Sequence, residues 1–209
     1  MTEPSVTEHR APRRKGPNRF PRSARTWLLI GVCVAAAALF FLGALSGTND
    51  AREGFLVTTD VNVVRFTPAK RHPSPRFRGP ALKSAGEISS ELLRGKIGVI
   101  NFWGSWCGPC RREQPLLEQL SKEYAGRGVQ FLGINERDQK AAALAYLDEF
   151  KVTYPSIYDP DSSIAYPFKV NYMPHTYVID RNGQIAAEII GALFSESDLK
   201  TVLDRELAS

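Results

Sequence analysis

The stretch that decides the fold reads Asn101-Phe102-Trp103-Gly104-Ser105-Trp106-Cys107-Gly108-Pro109-Cys110-Arg111-Arg112-Glu113. Residues 97–102, which lead into the cysteines, are apolar except for Asn101 and include β-branched residues, a pattern typical of a buried strand. After Pro109, apolar residues recur at helical spacing until Gly126, which predicts a helix. The two cysteines therefore lie where a strand passes into the first turn of a helix.

Cys107 and Cys110 are separated by two residues at this helix start. Unpaired backbone N–H groups and the helix dipole favour an anion there, so we expect Cys107 to be the reactive thiolate. Cys110, one turn along, is placed to attack a mixed disulfide formed at Cys107. Pro109 lacks an N–H and has a fixed φ, which suits a first turn. The pair would itself carry the two electrons, and no other cofactor is expected.

A Cys-x-x-Cys pair is also half of many zinc sites. A structural zinc needs four ligands, usually from two such pairs. The remaining candidates are Cys33, inside an apolar segment, and the unpaired His9, His72 and His175. We therefore expect no metal site and assign the cysteine pair to redox chemistry.

The basic character of the chain is confined to its N-terminus. Residues 1–26 contain seven Lys or Arg and two Glu, which accounts for the whole formal charge of +5. The rest of the chain holds 20 basic and 20 acidic residues. A neutral body gives no electrostatic reason to expect a nucleic-acid partner.

The composition divides the chain into four parts. Residues 1–26 are predicted to be a disordered basic tail, 27–46 a transmembrane anchor, 47–74 a linker and 75–209 the compact domain. The uncharged run within the anchor spans roughly 30 Å as a helix, enough to cross a bilayer. The basic tail would hold the N-terminus in the cytoplasm and place the domain outside the cell membrane, in an oxidising compartment.

A cleaved signal peptide is the competing interpretation of this segment. Ala44-Leu45-Ser46 is an acceptable small-x-small cleavage site. The apolar run is longer than the usual signal-peptide core, which favours an uncleaved single-pass anchor in contact with the lipid bilayer.

Within the domain, the pattern predicts further strands and helices. Residues 129–134 are predicted to form a second buried strand, 139–150 a helix and 154–167, with three X-Pro steps, mostly loop. Asn182-Gly183 between apolar runs predicts a β-hairpin, and residues 195–207 predict a closing helix. This order indicates an α/β fold with a mixed central sheet covered by helices on both faces.

These motifs resemble a known family. Trp106-Cys107-Gly108-Pro109-Cys110 resembles the thioredoxin active site, Met173-Pro174 resembles its cis-proline segment, and Gly191-Ala192-Leu193 resembles the glycine turn near that site. The resemblance covers about residues 75–205, and with the N-terminal anchor it is closest to the TlpA/ResA/DsbE-like membrane-tethered thiol-disulfide oxidoreductases. It implies a thioredoxin-like fold.

Two positions distinguish this chain from cytosolic thioredoxin. Thioredoxin has a buried aspartate six residues before the first active-site cysteine, where this chain has Asn101, which cannot accept a proton. The tethered group resembles this chain in having a glutamate at the position of Glu113. Residues three apart share a helix face, so Glu113 could relay a proton as Cys110 attacks. The alternative is a solvated first-turn glutamate.

The resemblance also implies a substrate-binding surface. A cis Pro174 would place the Met173 backbone within hydrogen-bonding reach of an extended substrate, beside Trp106, Gly108 and Pro109. Trp103 and Trp106 are candidates for an apolar lip, with plain packing of an aromatic next to a strand end as the equal alternative. His175 replaces the threonine common after this proline, and we expect it to be a tolerated surface residue, with tuning of Cys107 as the alternative.

The resulting hypothesis is a membrane-anchored extracytoplasmic protein-disulfide reductase that uses Cys107, Cys110 and Glu113. The resemblance implies a role in cytochrome c biogenesis, with apocytochrome c as the substrate and an integral-membrane electron donor of the CcdA/DsbD type. An oxidant of exported protein thiols and a non-catalytic thioredoxin-like binding module are the alternatives.

Overall fold

The computed structural model describes residues 55–57 and 63–209. The predicted tail and anchor, residues 1–46, lie outside the described residues, as do residues 47–54 and 58–62 of the predicted linker. In the part of the chain that is described, no helix combines the length and apolar character needed to span a membrane.

The described chain contains nine strands and three α-helices. The strands are β1 (Phe55–Val57), β2 (Val63–Phe66), β3 (Arg78–Pro80), β4 (Glu87–Ser89), β5 (Ile97–Trp103), β6 (Val129–Glu136), β7 (Ser156–Asp159), β8 (His175–Ile179) and β9 (Ile185–Ile190). The helices are α1 (Gly108–Glu123), α2 (Lys140–Glu149) and α3 (Glu196–Leu207), with 3-10 turns at Pro68–Lys70 and Ser90–Leu93. The strand and helix that flank the cysteines, the hairpin and the closing helix are confirmed.

Seven strands form one mixed sheet in the order β1-β2-β9-β8-β5-β6-β7, and β3 and β4 pair separately. β5 is parallel to β6 and antiparallel to β8. All seven residues of β5 are buried, which explains its almost continuous apolar sequence. Because β5 lies inside the sheet and ends at Trp103, the segment that follows carries the cysteines to the middle of one end of the sheet.

One face of the sheet is covered by all three α-helices. Val99 and Trp103 of β5 pack there with Leu117 of α1, Tyr146 of α2 and Leu203 of α3. These helical residues are at most 1% exposed. The prediction of helices over the sheet is therefore correct for this face.

The opposite face has a different cover. Ile100 and Phe102 of β5 pack there with Phe77, Leu93 and Phe168, which lie outside the α-helices. The segment around Phe168 forms consecutive turns between prolines, which interrupt helical hydrogen bonding. This face therefore carries the 3-10 helix Ser90–Leu93 and turns, and none of the described α-helices.

The structure also corrects the predicted loop at residues 154–167. Residues 156–159 form β7, which pairs in parallel with β6. Ile157 is completely buried in the second core. Pairing and burial here outweigh the local preference of the flanking prolines for turns.

The sheet begins before the predicted start of the domain at residue 75. β2 pairs antiparallel with β9, and β1 pairs with β2, although both lie in the segment predicted to be a linker. Val63 is 2% exposed and belongs to the first core. Residues 63–66 are therefore part of the sheet.

Candidate active site

Cys107 is the N-cap residue of α1, at the point where the loop after β5 enters the helix. Its Sγ accepts a hydrogen bond from the backbone N–H of Cys110 at 3.2 Å, and the two sulfurs are joined in a disulfide. Pro109 lies in the first helical turn. Cys107 is 4% exposed and Cys110 1% exposed, so Cys107 is the more accessible of two nearly buried sulfurs.

The surroundings of Cys107 favour negative charge on its sulfur. The N–H of Cys110 points at Sγ, and the helix dipole adds partial positive charge at the same end. The exposed Arg112 lies beside Gly108, the residue after Cys107, since its Nη1 is 4.0 Å from the position that a Cβ on Gly108 would occupy. These features suit a thiolate nucleophile once the disulfide is reduced.

Glu113 is buried in the second turn of α1, with 1% of its surface exposed. Its Oε1 accepts a hydrogen bond from Asn101 Nδ2 at 2.9 Å, and its Oε2 accepts one from the backbone N–H of Leu193 at 2.8 Å. Burial raises the pKa of Glu113 from its ordinary value of 4.5 to about 7, although both hydrogen bonds oppose the shift. The alternative of a solvated glutamate does not describe this side chain.

Asn101 links the glutamate to the strand that follows the proline loop. Its Nδ2 also donates to Thr176 Oγ1 at 3.0 Å, and the residue is 2% exposed. An uncharged amide at this position holds Glu113 without competing with it for a proton. With Asn101 in place of thioredoxin's aspartate, Glu113 is the acid of this hydrogen-bonded group.

The Met173-Pro174 peptide bond is cis, in the loop that leads into β8. The Pro174 carbonyl accepts a hydrogen bond from Gly191 N–H at 2.9 Å, which ties this loop to the end of β9. Because His175 pairs with Phe102 of β5, the loop lies at the same end of the sheet as the cysteines. The structure therefore brings the proline loop and the cysteines to one end of the fold.

The expectation that His175 lies on the surface is wrong. It is 5% exposed, and its ring stacks on Tyr177 with centroids 4.5 Å apart and planes 5° apart. Glu188 is its nearest acidic neighbour, with Oε2 3.8 Å from His175 Nε2. The side chain faces the second core because it alternates with Thr176, which faces α1.

The two tryptophans near the cysteines have different environments. Trp106 is 56% exposed, and its indole N–H donates to the carbonyl of Arg137 at 3.0 Å. Trp103 is 1% exposed and stacks on Tyr146 with centroids 4.4 Å apart. Only Trp106 can form a lip at the site, and Trp103 follows the alternative of plain packing in the core.

Sequence reasoning missed several residues at this end of the sheet. Tyr172 is 72% exposed and directly precedes the cis-proline pair, and Phe194 is 79% exposed beside the Leu193 amide that binds Glu113. Only their positions in the sequence could have indicated them, since Tyr172 precedes the Met173-Pro174 motif and Phe194 follows the Gly191–Leu193 turn. Asp138, which contacts Ser105, had no signal in the sequence.

No metal cluster occurs among the described residues, in the sense that no three His, Cys, Asp or Glu side chains are grouped closely enough to hold an ion. Cys107 and Cys110 are engaged with each other. The chemistry that this site supports is exchange between a dithiol and a disulfide.

A mixed sheet, a Cys-Gly-Pro-Cys pair at a helix N-terminus and a cis-proline loop beside it together define the class of thioredoxin-fold thiol-disulfide oxidoreductases. The sequence profile of the AhpC/TSA family matches residues 71–188. The chain belongs to the AhpC/TSA family.

Individual relatives agree with this assignment. The chain is 34% identical over 143 residues to the thiol-disulfide oxidoreductase ResA of Geobacillus kaustophilus, covering 68% of this chain and 82% of the relative. It is 29% identical over 171 residues to the thiol:disulfide interchange protein DsbE of Allochromatium vinosum, covering 81% of this chain and 85% of the relative. The protein is thus an enzyme of the ResA/DsbE type, a thiol-disulfide oxidoreductase.

Solved structures show the same fold. A secreted thiol-disulfide isomerase from Corynebacterium glutamicum superposes with a TM-score of 0.66 at 27% identity, over 75% of this chain and 98% of the other. A DsbF homologue from Corynebacterium diphtheriae superposes with a TM-score of 0.64 at 32% identity, over 73% and 98%.

Proposed function

We propose that the protein is a membrane-anchored, extracytoplasmic reductase of protein disulfides. One observation supports the proposal above all. The two cysteines at the N-terminus of α1 share that helix with Glu113, a buried acid whose pKa is raised to about 7. A carboxyl group with that pKa exchanges protons readily near neutral pH, as reduction of a disulfide requires.

The reaction begins with the reduced pair. The Cys107 thiolate attacks one sulfur of a substrate disulfide, forms a mixed disulfide and releases the other substrate sulfur as a thiolate, which takes up a proton. Cys110 then loses its proton to the carboxylate of Glu113 and attacks Cys107 Sγ. This step releases the second substrate thiol and leaves the Cys107–Cys110 disulfide, so two electrons have passed to the substrate.

Substrate binding is assigned to the residues around Cys107, of which Trp106 and Gly108 are exposed and Met173 and Pro109 partly exposed. Met173 and Pro174 would pair through the backbone with an extended substrate segment, with Trp106, Gly108 and Pro109 beside it. Trp106 is exposed and its indole N–H is bound by the Arg137 carbonyl, which supports its role as one wall of a substrate groove that we propose these five residues form. A protein segment with a disulfide in an extended stretch is the substrate class that fits.

The cellular setting is proposed from the N-terminal sequence. The uncharged segment within residues 27–46 follows a basic tail, which supports an anchor in the lipid bilayer with the domain outside the cytoplasm. An enzyme in an oxidising compartment needs an electron supply, for which we propose an integral-membrane donor of the CcdA/DsbD type. We propose apocytochrome c as the substrate and cytochrome c biogenesis as the role, on the resemblance to the tethered group.

An oxidant of exported thiols is the second candidate. One structural neighbour is described as a secreted thiol-disulfide isomerase, which favours considering disulfide formation as well as reduction. The reduction potential of the cysteine pair decides between them. A potential near about −250 mV or below supports the reductase, and one near about −120 mV, as in strong oxidants, supports the oxidant.

Trapping of the mixed disulfide tests the proposal directly. The Cys110→Ser variant of the full chain should accumulate substrates bound to Cys107, because the second sulfur that would release them is missing. Diagonal electrophoresis and mass spectrometry would identify the captured proteins. Cys107→Ser is the matched control and should capture none. Equal capture by both variants would contradict the assignment of Cys107 as the nucleophile.

Glu113→Gln tests the proton-relay role. We expect resolution of the mixed disulfide to slow by about tenfold or more at neutral pH, since general-base catalysis contributes about 10²- to 10⁴-fold where it operates. Stopped-flow measurement of the single-turnover reaction from pH 5 to 9 would show the effect. A rate–pH profile identical to that of the wild type would exclude the relay.

A further inference from the structure

The loop after β6 is hydrogen-bonded to the loop that carries the active site. Asp138 Oδ2 accepts a hydrogen bond from the Ser105 backbone N–H at 2.6 Å, and Asp138 Oδ1 accepts one from the Ser105 hydroxyl at 2.8 Å. Ser105 is two residues before Cys107 in sequence, and 33 residues separate it from Asp138. Both bonds end on one charged group, and such charge-assisted bonds are the stronger kind.

The same two loops fix Trp106. Its indole N–H donates to the Arg137 carbonyl at 3.0 Å, next to Asp138 in the chain. Its ring also lies against Gly104, since a Cβ on Gly104 would come within 2.7 Å of the indole nitrogen. Trp106 nevertheless remains 56% exposed. Trp106 is therefore held on two sides while much of its surface faces solvent.

Asp138 is itself held by three further hydrogen bonds. Its Oδ2 accepts a further bond from Asn135 Nδ2 at 2.8 Å, its Oδ1 accepts one from Gln139 N–H at 2.8 Å, and its carbonyl accepts one from the Tyr158 hydroxyl at 2.9 Å. Four donors thus converge on the carboxylate. A carboxylate with each oxygen doubly engaged is suited to fixing a loop.

The backbone of this loop has an unusual conformation. Arg137 has φ +48°, in the left-handed region that a non-glycine residue rarely adopts. Such conformations persist where the surrounding contacts determine them. Here the conformation directs the Arg137 carbonyl towards Trp106 while its neighbour binds Ser105.

We propose that Asp138 is a positioning residue for thiol-disulfide exchange with protein substrates. By binding Ser105, it fixes Trp106 beside Cys107 as a rigid wall of the substrate groove. The inference rests on the proposed role of Trp106 in substrate binding. Asp138 touches neither sulfur through any of these bonds, so its effect on the reaction passes through Ser105 and Trp106.

This role predicts a difference between substrate classes. A protein substrate must lie along the groove, so a wall that moves reduces its affinity. A small disulfide needs only access to the sulfur, and its reduction depends on the thiolate. Loss of Asp138 should therefore raise KM for a protein disulfide and leave the rate with a small disulfide almost unchanged.

The test compares four variants of the full chain in detergent, with dithiothreitol as the reductant. For Asp138→Ala we expect KM for insulin disulfides to rise about tenfold, which is typical of a lost charged hydrogen bond. We expect kcat to stay within about twofold of the wild-type value. Reduction of oxidised glutathione should stay within about twofold of wild type. Asp148→Ala is the control, because Asp148 is an exposed aspartate on α2 and its substitution should leave both substrates unaffected.

The remaining variants separate the inference from the proposed function. Trp106→Ala should also raise KM for insulin, and an unchanged KM there would overturn the groove assignment of Trp106. If Trp106→Ala raises KM and Asp138→Ala does not, only the positioning role of Asp138 is overturned. Equal loss with both substrates would likewise overturn it.

If Asp138→Ala fails to fold, the variant Ser105→Ala still tests the positioning role of Asp138. Ser105→Ala removes only one of the two bonds to Asp138 and keeps the carboxylate and its other donors. We expect about a threefold rise in KM for insulin from this variant. An unchanged KM in a folded Ser105→Ala protein would overturn the proposal.

Discussion

Glu113 lies in the second turn of α1, and the turn that follows β9 covers it, since the Leu193 N–H binds its carboxylate. The Leu193 N–H and the Asn101 amide bind one carboxylate oxygen each. Burial still dominates and raises the pKa of Glu113 to about 7. The raised pKa of Glu113 therefore depends on the turn that covers it as much as on its position in α1.

The raised pKa makes the stability of the oxidised protein depend on pH. The folded protein binds this proton more tightly than the unfolded chain, so the stabilising contribution is complete below about pH 4.5 and is lost as pH rises through about 7. Relative to Glu113→Gln, we expect the unfolding free energy of the wild type to fall between these values by an amount on the order of a few kcal/mol. Urea unfolding of the oxidised proteins at several pH values measures the difference.

An exposed glutamate provides the control for this measurement. Glu149→Gln changes the same charge on a half-exposed side chain of α2, and its stability should follow the wild-type dependence on pH. If Glu113→Gln keeps the wild-type slope between pH 4.5 and 7, Glu113 does not titrate there.

Residues could be predicted from the sequence where chemistry is tied to a motif. Cys107, Cys110, Pro174 and Glu113 all lie at one end of the fold, as their motifs indicate. Trp103 could not be distinguished from Trp106, because the direction of a side chain at a strand end depends on what packs there. The orientation of His175 depended in the same way on its register in β8.

The elements themselves were predictable where apolar periodicity is strong. β5, α1, the β8–β9 hairpin and α3 follow from patterns that local structure and packing both favour. β7 has four residues between proline-containing turns and is defined only by pairing with β6. A parallel strand with a partner distant in sequence leaves little local signal.

The segment before residue 75 is tied to the fold by a buried ionic cluster. Arg71 Nη1 binds Asp180 Oδ2 at 2.9 Å in the turn after β8, and its Nη2 binds Glu206 Oε1 at 2.7 Å in α3. All three side chains are less than 10% exposed. This contact joins three elements that are remote in sequence.

Removal of this arginine should destabilise the protein strongly. Arg71→Ala leaves two buried carboxylates without their partner, for which we expect a loss of about 3–5 kcal/mol. Because the cluster lies at the end of β8 opposite the cis-proline loop, the reduction potential of the cysteines should stay unchanged. Urea unfolding and equilibration with glutathione measure the two quantities.

The exposed Arg76, five residues later, is the matched control. Arg76→Ala removes the same charge from the same segment and should change stability by less than about 0.5 kcal/mol. A small effect of Arg71→Ala as well would show that the ionic cluster contributes little to the fold.

On the scale of the whole molecule, the sheet connects the early strands to the redox site. β2 pairs with β9, and β9 leads into the Gly191–Leu193 turn whose amide binds Glu113. The sequence suggested a domain beginning near residue 75 because prolines and charges resemble a linker. The pairing of β2 is a long-range contact, which composition does not reveal.

This connection predicts that the enzyme needs residues before its apparent boundary. A chain starting at residue 68 lacks β1 and β2, exposes the edge of β9 and loses the buried Val63. Compared with a chain starting at residue 51, we expect it to be less stable by about 2 kcal/mol or more, since one buried valine alone contributes about 1.5–3 kcal/mol. Hydrogen exchange should be faster at the β9 amides and at Leu193, whereas α2, on the far side of β5, should keep its protection. Equal stability of the two chains, with equal protection of Leu193, would show that the early strands are dispensable and that the cover of Glu113 does not depend on them.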